Sequence, residues 1–339
     1  MNAINAAEKI DAISNLLAIN ISSDKALKLA QEIFHGAMRG GELDDFDEWL
    51  ENRFTPNLVW LNPDDYTKAI ASALPRTLYL SNKRKGKGFV QLWTDTARGL
   101  LGEIAVQRFF SEKLNLEIRQ DISMDSDLDD YISTDIKFVR DSIGEYRPTR
   151  INTSVKTGKF NARWLDEYSA PKIANIDAFI FVRLGTPREH FVAYLKDISF
   201  LKTKLFPKAV ELGELTNDSS AELWDSIPDF ELIPAYIPGF LMRRELNYPI
   251  HSVTPLLLGQ ENYRGSRDTR RIRIKKGVGV FTRANLYAMP EIQELDPEQN
   301  LDMIIDGIEK IIDDKDHFYA NTGAFSHGVE DWKKFRTRL

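Results

Sequence analysis

The stretch Thr134 to Lys159 constrains the fold more than any other part of the chain. Two segments of strand character flank a turn-rich one. Asp135 to Val139 reads as a first strand. Arg140 to Arg150, with Gly144 and Pro148, reads as a long turn. Ile151 to Thr157 reads as a second strand, alternating along Ile151, Thr153 and Val155. The expectation is a β-hairpin with an acid near the start of one strand and Lys156 near the end of its partner. Antiparallel neighbours lie about 5 Å apart, which lets Asp135 and Lys156 share one site. A carboxylate beside a lysine suits metal-assisted phosphodiester cleavage: the acid holds a hard divalent cation, and the lysine holds the attacking water or the phosphate charge.

The flanking sequence predicts a mixed α/β sheet. Ala178 to Leu184 is a near-continuous apolar run of strand length, as expected of a central strand. His190 to Leu195 reads as another strand after the turn at Gly185. Asn161 to Ser169 reads as a short helix ended by Pro171. Upstream, Thr94-Asp95 can cap a helix running to about Leu114, and Gly99 and Gly102 would let another backbone approach it closely. Glu103 follows among apolar neighbours, and taken alone it is expected on the solvent side. Leu116 to Ile122 reads as a short strand, and the acidic run Asp125, Asp127, Asp129 and Asp130 as a solvated loop.

The first 75 or so residues read as helical, with Ser22-Ser23-Asp24 capping Lys25 to Met38, Gly40-Gly41 stopping that helix, an acidic helix over Asp44 to Phe54, and Pro63 starting another. Phe230 to Phe240 is extended and broken by proline, which points to a sheet edge. Pro297 to Asp316 reads as an amphipathic helix, and Trp332 to Leu339 as a basic tail. The expected organisation is a helical region over 1–78, a catalytic core over 79–245, and a recognition and dimerisation region over 246–339.

Composition matters mainly for what it excludes. There is no cysteine, so disulfides, thiolate zinc sites and cysteine nucleophiles are ruled out, as fits a reducing cytoplasm. No apolar run approaches the ~20 residues that span a bilayer, and the N-terminus lacks the pattern of a signal peptide. The five histidines form no pair at metal-ligand spacing, and neither a serine-hydrolase elbow nor a dinucleotide fingerprint is present. The net charge of −6 argues against non-specific coating of nucleic acid but leaves room for a local basic face. Two segments provide one. Ser81 to Gly88 carries Lys83, Arg84, Lys85 and Lys87, suited either to solvent or to phosphate. Tyr263 to Gly277 carries Arg264, Arg267, Arg270, Arg271, Arg273, Lys275 and Lys276 against the single acid Asp268. There Arg271, Arg273 and Lys275 alternate with Ile272 and Ile274, as on a strand with one basic face, and arginine reads guanine bidentately.

From Arg98 to Lys196 the chain resembles the PD-(D/E)xK nuclease superfamily, the restriction-endonuclease-like fold. The resemblance rests on Gly102-Glu103 in the helix before the hairpin, on Asp135, on Ser154-Val155-Lys156-Thr157, on Asp177-Ala-Phe-Ile-Phe-Val-Arg-Leu184, and on Phe191-Val-Ala-Tyr-Leu195. It implies a mixed central β-sheet flanked by helices, here with an added N-terminal helical region. The family's acid two residues before the lysine is Ser154 in this chain, and serine cannot supply the charge that draws in a cation. The chain is similar in this to type II restriction endonucleases with an S-x-K motif, which take the missing carboxylate from a glutamate on the following helix. That would be Glu167, or its neighbour Asp166; the other reading is a lapsed site. Asp135-Ile-Lys137 with Asp130 upstream is a second possible acid-and-lysine element, but Lys156 is followed by the sequence that fits the fold.

The resemblance implies a Mg²⁺-dependent endonuclease of the type II restriction kind, cytoplasmic, acting on double-stranded DNA as a homodimer or higher homo-oligomer. Asp135, Glu167 and Glu103 would hold metal, and Lys156 would orient the water. A repair or recombination nuclease of the same fold, or a DNA-binding protein with a lapsed site, are the alternatives.

Overall fold

A computed structural model of the chain describes residues 3–83, 88–119, 134–141, 143–167, 175–186, 189–246, 256–261, 269–273, 277–306, 311–315 and 317–339. The acidic run through Asp130, and Arg84, Lys85, Lys87, Arg264, Arg267 and Lys275, lie outside these residues, as do the side chains of Lys83, Asp166, Glu167, Arg270 and Arg273.

The chain opens with two helices, α1 (Ala3–Leu17) and α2 (Ser23–Arg39). The buried face of α2 runs through Ala26, Leu29, Ala30, Ile33, Phe34 and Ala37 at helical spacing. Short α3 (Phe46–Trp49), capped by Asp45 onto the Glu48 amide, continues into a π-helical turn over Leu50–Phe54. The next segment, β1 (Leu58–Leu61), is a strand within a region expected to be helical. Reciprocal hydrogen bonds between Asn62 and Asp65 then start α4 (Pro63–Lys83), where the Asn-Pro-Asp-Asp pattern places it. The long α5 (Phe89–Leu114) begins five residues before the expected cap and ends at Asn115 in the left-handed conformation, φ 49°.

Strands follow: β2 (Leu116–Arg119), β3 (Phe138–Asp141), β4 (Arg147–Pro148), β5 (Thr153–Lys159), β6 (Trp164–Glu167) and β7 (Ala178–Leu184). Next come α6 (His190–Asp197), a π-helical turn (Leu201–Leu205), α7 (Phe206–Glu211), α8 (Asn217–Ser226), β8 (Ile233–Met242) and α9 (Arg243–Leu246). The last part holds β9 (Leu256–Glu261), β10 (Thr269–Arg273), β11 (Val278–Phe281), α10 (Arg283–Tyr287), α11 (Pro290–Leu295), β12 (Asp302–Ile305), β13 (His317–Asn321) and α12 (Val329–Arg338). No helix among the described residues is long and apolar enough to cross a membrane.

The protein is thus mixed α/β. Its main sheet has the order β1-β8-β7-β5, with β7 and β5 parallel and the other pairs antiparallel. β7 is buried along its whole length, as its apolar run requires. Its alternation feeds two cores. Ala178, Ile180, Val182 and Leu184 pack with α5. Phe179 and Phe181 pack on the other face with Leu165 of β6, Phe318 and Ala320 of β13, and Phe325. The first core also takes Val59 and Leu61 from β1 and Trp332 and Phe335 from α12 near the C-terminus. The expected basic tail is therefore a helix with a buried aromatic face.

Five expectations are corrected here. Asp135–Val139 and Ile151–Thr157 are not hairpin partners: β3 pairs with β2 and β4, while β5 leaves to pair with β7. Of the helix expected over Asn161–Ser169, the described residues 161–167 are not helical; β6 runs antiparallel to β13, with Trp164 and Leu165 buried in different cores. His190–Leu195 is a helix, because only His190, Ala193 and Tyr194 find the interior while Phe191 and Val192 stay exposed. The proline-broken segment is the central strand β8. Its Pro234 carbonyl still accepts from Gly185, and Pro238 falls at a bulge opposite β7, where no ladder N–H is needed. Within Pro297–Asp316, residues 302–305 form β12, with Met303, Ile304 and Ile305 all buried and no helical stripe.

One buried charge cluster ties the N-terminal region to the main sheet. Arg183 of β7 and Glu42 are both fully enclosed and paired at 2.7 Å. Glu42 also accepts from Tyr236 at 2.7 Å and Trp49 at 3.2 Å, and Arg183 donates to Thr322 Oγ1 at 2.7 Å. Burial alone would raise the Glu42 pKa, but Arg183 and Arg53 hold it down at about 2.

Candidate active site

The site lies at the outer edge of β5, where α5 crosses it. Its closeness depends on a glycine. A Cβ on Gly102 would lie 1.9 Å from Thr157 Oγ1, so only glycine lets α5 reach the strand at this depth. Thr157 in turn points its hydroxyl at the Gly99 carbonyl, 3.5 Å away. The expected close approach occurs at Gly102, but to the Thr157 side chain and not to a backbone, and a Cβ on Gly99 would meet nothing within 4 Å; the residue after Gly102 along the helix is Glu103.

Asp135 reaches the same edge from the other side. Its amide donates to the Thr153 carbonyl at 2.8 Å, and the Thr134 hydroxyl accepts from the Thr153 amide at 3.0 Å. The Asp135 carboxylate accepts from the Val155 amide at 2.6 Å and from the Ser154 hydroxyl at 3.1 Å. It thereby satisfies a backbone donor of an edge strand. Thus Asp135 and β5 do adjoin, as expected, but through this short segment and not through a hairpin ladder.

Alternation along β5 sets Val155 and Thr157 toward α5, and Ser154 and Lys156 on the opposite face. Ser154 is buried, and its hydroxyl is committed to Asp135. Lys156 is half-buried and close enough to Asp135 to favour its ionised form.

Two carboxylates interact here. Burial and then the charge of Asp135 push Glu103 up to about 8, against a smaller opposing pull from Arg76. Asp135 is also raised, by burial, which outweighs its hydrogen bond from Val155 and the charges of Lys156 and Arg76. Glu103 is therefore turned to the site and away from open solvent, contrary to the expectation for it alone. Arg76, from α4, was not singled out by the sequence. Nothing in a single arginine on an amphipathic helix marks it, and only the packing of α4 on α5 brings it here.

Glu167 is the last residue of β6, opposite Phe318 of β13, and not on a helix. The carboxylate that the described residues place beside Asp135 is Glu103. Among the described residues no group of three or more His, Asp or Glu side chains gathers as a metal site. A pair of hard oxygen ligands is nevertheless a fit for Mg²⁺, which keeps several waters and binds through one or two carboxylates together with substrate phosphate. The mutual repulsion of the pair is what a divalent cation would relieve.

Of the expected DNA-facing cations, Arg271 is described in full. It lies on β10, the middle strand of the sheet β12-β10-β9, and pairs with Asp306 at 3.5 Å. Asp306 also takes a two-pronged contact from Arg163, at 3.0 and 3.1 Å.

Compared with known protein families, with curated proteins and with solved structures, the chain matches none of them.

Proposed function

We propose that the protein is a Mg²⁺-dependent endonuclease that hydrolyses phosphodiester bonds in double-stranded DNA, of the type II restriction kind and built on a restriction-endonuclease-like core. The observation that carries this is Asp135 at the edge of β5, within electrostatic reach of Glu103 from α5 and of Lys156 from the strand itself. The helix-borne Gly102-Glu103 and the parallel pair β5 and β7 support it.

Asp135 and Glu103 would hold the cation, with Glu103 occupying the role left open at Ser154 and Glu167 kept as the competing candidate. When bound, the cation supplies neutralisation of phosphate charge and a more acidic water. Lys156 orients the attacking water or steadies the phosphate. Arg76 adds positive charge on the helix side. Ser154 and the Val155 amide fix one Asp135 oxygen, so its carboxylate cannot rotate away. In-line attack leaves a 5′-phosphate and a 3′-hydroxyl. The acting form is proposed to be a cytoplasmic homodimer, matching a two-fold DNA site.

The test is supercoiled plasmid with Mg²⁺ and purified protein. Discrete fragments are expected; smears or junction-specific cuts would point to repair or recombination instead. Lys156→Ala should abolish cutting and keep binding. Glu103→Ala should lose at least about a hundredfold in rate, on the scale of an essential charged group, whereas Glu167→Ala should cut normally. The reverse outcome would return the acid to β6. Intact DNA that still shifts in a gel would support the lapsed site, which the serine at 154 favours.

A further inference from the structure

A cavity opens beyond the carboxyl ends of the parallel strands β5 and β7, where Lys159 and Leu184 are partners. Its volume is about 590 Å³, within the ~300–1,000 Å³ of small-molecule sites. In open α/β sheets this end of the strands is where ligands collect. The cavity is walled by flat rings. Tyr66 meets His190 edge-on at 4.2 Å, and Trp93 meets Phe191 at 6.3 Å and 87°. The Trp93 indole is pinned by its donation to the Ile70 carbonyl at 3.0 Å. His190 is buried and Nε2 has no hydrogen-bond partner among the described residues. Burial, and then Lys25, hold its imidazole neutral, with a pKa of about 3. Phe191 is 41% exposed, an apolar ring left facing water. Two cations, Arg98 and Lys159, stand on the same lining with one acid, Glu32. Among the described residues Arg98 makes a loose, exposed contact to Asp95 at 3.8 Å.

We propose that this cavity binds a nucleotide, its base held among Trp93, Tyr66 and Phe191 and its phosphate by Arg98 and Lys159. Aromatic walls accept any base through its π-face, and cations beside them add charge and cation–π attraction. The neutral wall at His190 suits an uncharged base, and the two cations suit the anion attached to it. Lys159 lies three residues past Lys156, about 10 Å along an extended strand. The occupant is therefore either a free mononucleotide or an unpaired nucleotide within a strand that continues to the edge of β5. The site stands on its own residues and needs no cleavage to be real.

Calorimetry on the full chain in EDTA, where metal-dependent cleavage cannot run, tests this separately from the nuclease reading. The probes are deoxyadenosine 5′-monophosphate, a short single-stranded oligodeoxyadenylate, and inorganic phosphate. At least one of the first two should bind about tenfold or more tightly than phosphate, because stacking adds to charge. Lys159→Glu and Arg98→Glu, at solvent-accessible positions, should each weaken that binding about tenfold, and Phe191→Ala should weaken it while leaving phosphate unchanged. A strand that binds about tenfold better than the mononucleotide identifies the strand as the source; equal binding identifies the free nucleotide. Phosphate binding as well as either nucleotide probe, no binding of either nucleotide probe, or binding untouched by all three substitutions would each overturn the proposal.

Discussion

Gly102→Ala gives the most direct reading of how the site is assembled. The added Cβ would sit 1.9 Å from Thr157 Oγ1, 2.9 Å from its Cβ and 3.0 Å from its Cγ2. Carbon contacts settle near 3.5–4 Å, so either α5 or β5 must move by about an ångström. Overpacking of this sort costs roughly 1–3 kcal/mol. Replacing glycine by alanine inside a helix returns about 0.5–1 kcal/mol. The net expectation is a loss of about 1–2 kcal/mol. Thr157→Ala removes Oγ1 and Cγ2 but leaves the Cβ contact at 2.9 Å, so it should relieve part of the clash and show a coupling of about 1 kcal/mol in a double-mutant cycle. Its own cost is small, since the bond to the Gly99 carbonyl is long at 3.5 Å. The assay is equilibrium urea unfolding of the wild type, both single variants and the double variant. A Gly102→Ala protein as stable as wild type, or one whose loss is unchanged in the Thr157→Ala background, would mean that α5 does not meet β5 here. Glu103 would then have no reason to stand beside Asp135.

The buried pair at Glu42 makes a pH prediction. Its folded pKa of about 2 lies below the ordinary 4.5, so its contribution is complete above pH 4.5 and lost as pH falls towards 2. Glu42→Gln, which leaves Arg183 buried without its partner charge, should cost about 3–5 kcal/mol at neutral pH, and the gap to wild type in chemical unfolding should narrow in acid. Glu103 has the opposite sign. Raised to about 8, it disfavours folding progressively as pH climbs from 4.5 to 8. The ceiling is about 5 kcal/mol at roughly 1.4 kcal/mol per tenfold, reduced by the water that reaches a half-buried group. Glu103→Gln should flatten that part of the stability curve; an unchanged slope would place Glu103 in water. Trp332→Ala, which empties a buried position between Phe109 and Phe240, should cost about 3–5 kcal/mol by thermal or urea unfolding, whereas a solvated tail would show no loss.

Legibility followed how local each signal was. The helix α2 is set by its own spacing, without a side-chain cap from Ser22, α4 by its Asn62–Asp65 cap, and β7 by an apolar run that only a strand buried on both faces explains. The apolar stretches at His190–Leu195 and 297–316 carry no such decision. Each is apolar enough for either structure, and the choice falls to which neighbours cover which side chains. β8 reads as an edge because prolines lack a donor, yet a bulge and carbonyl-only contacts absorb both of them in the middle of the sheet.

By itself, the sequence determined which chemical groups this protein can bring to a site. Asp135, Lys156 and the Gly102-Glu103 pair are visible, and so is the serine where an acid was expected, because residue type and short spacing are local properties. Only the tertiary structure decided which groups meet. Asp135 joins β5 through its own amide and carboxylate although no hairpin pairs the two segments, Glu103 turns inward because Gly102 admits α5 to the strand, and Arg76 arrives from a separate helix. Contacts between groups distant in sequence follow from packing, and packing is fixed by the whole core.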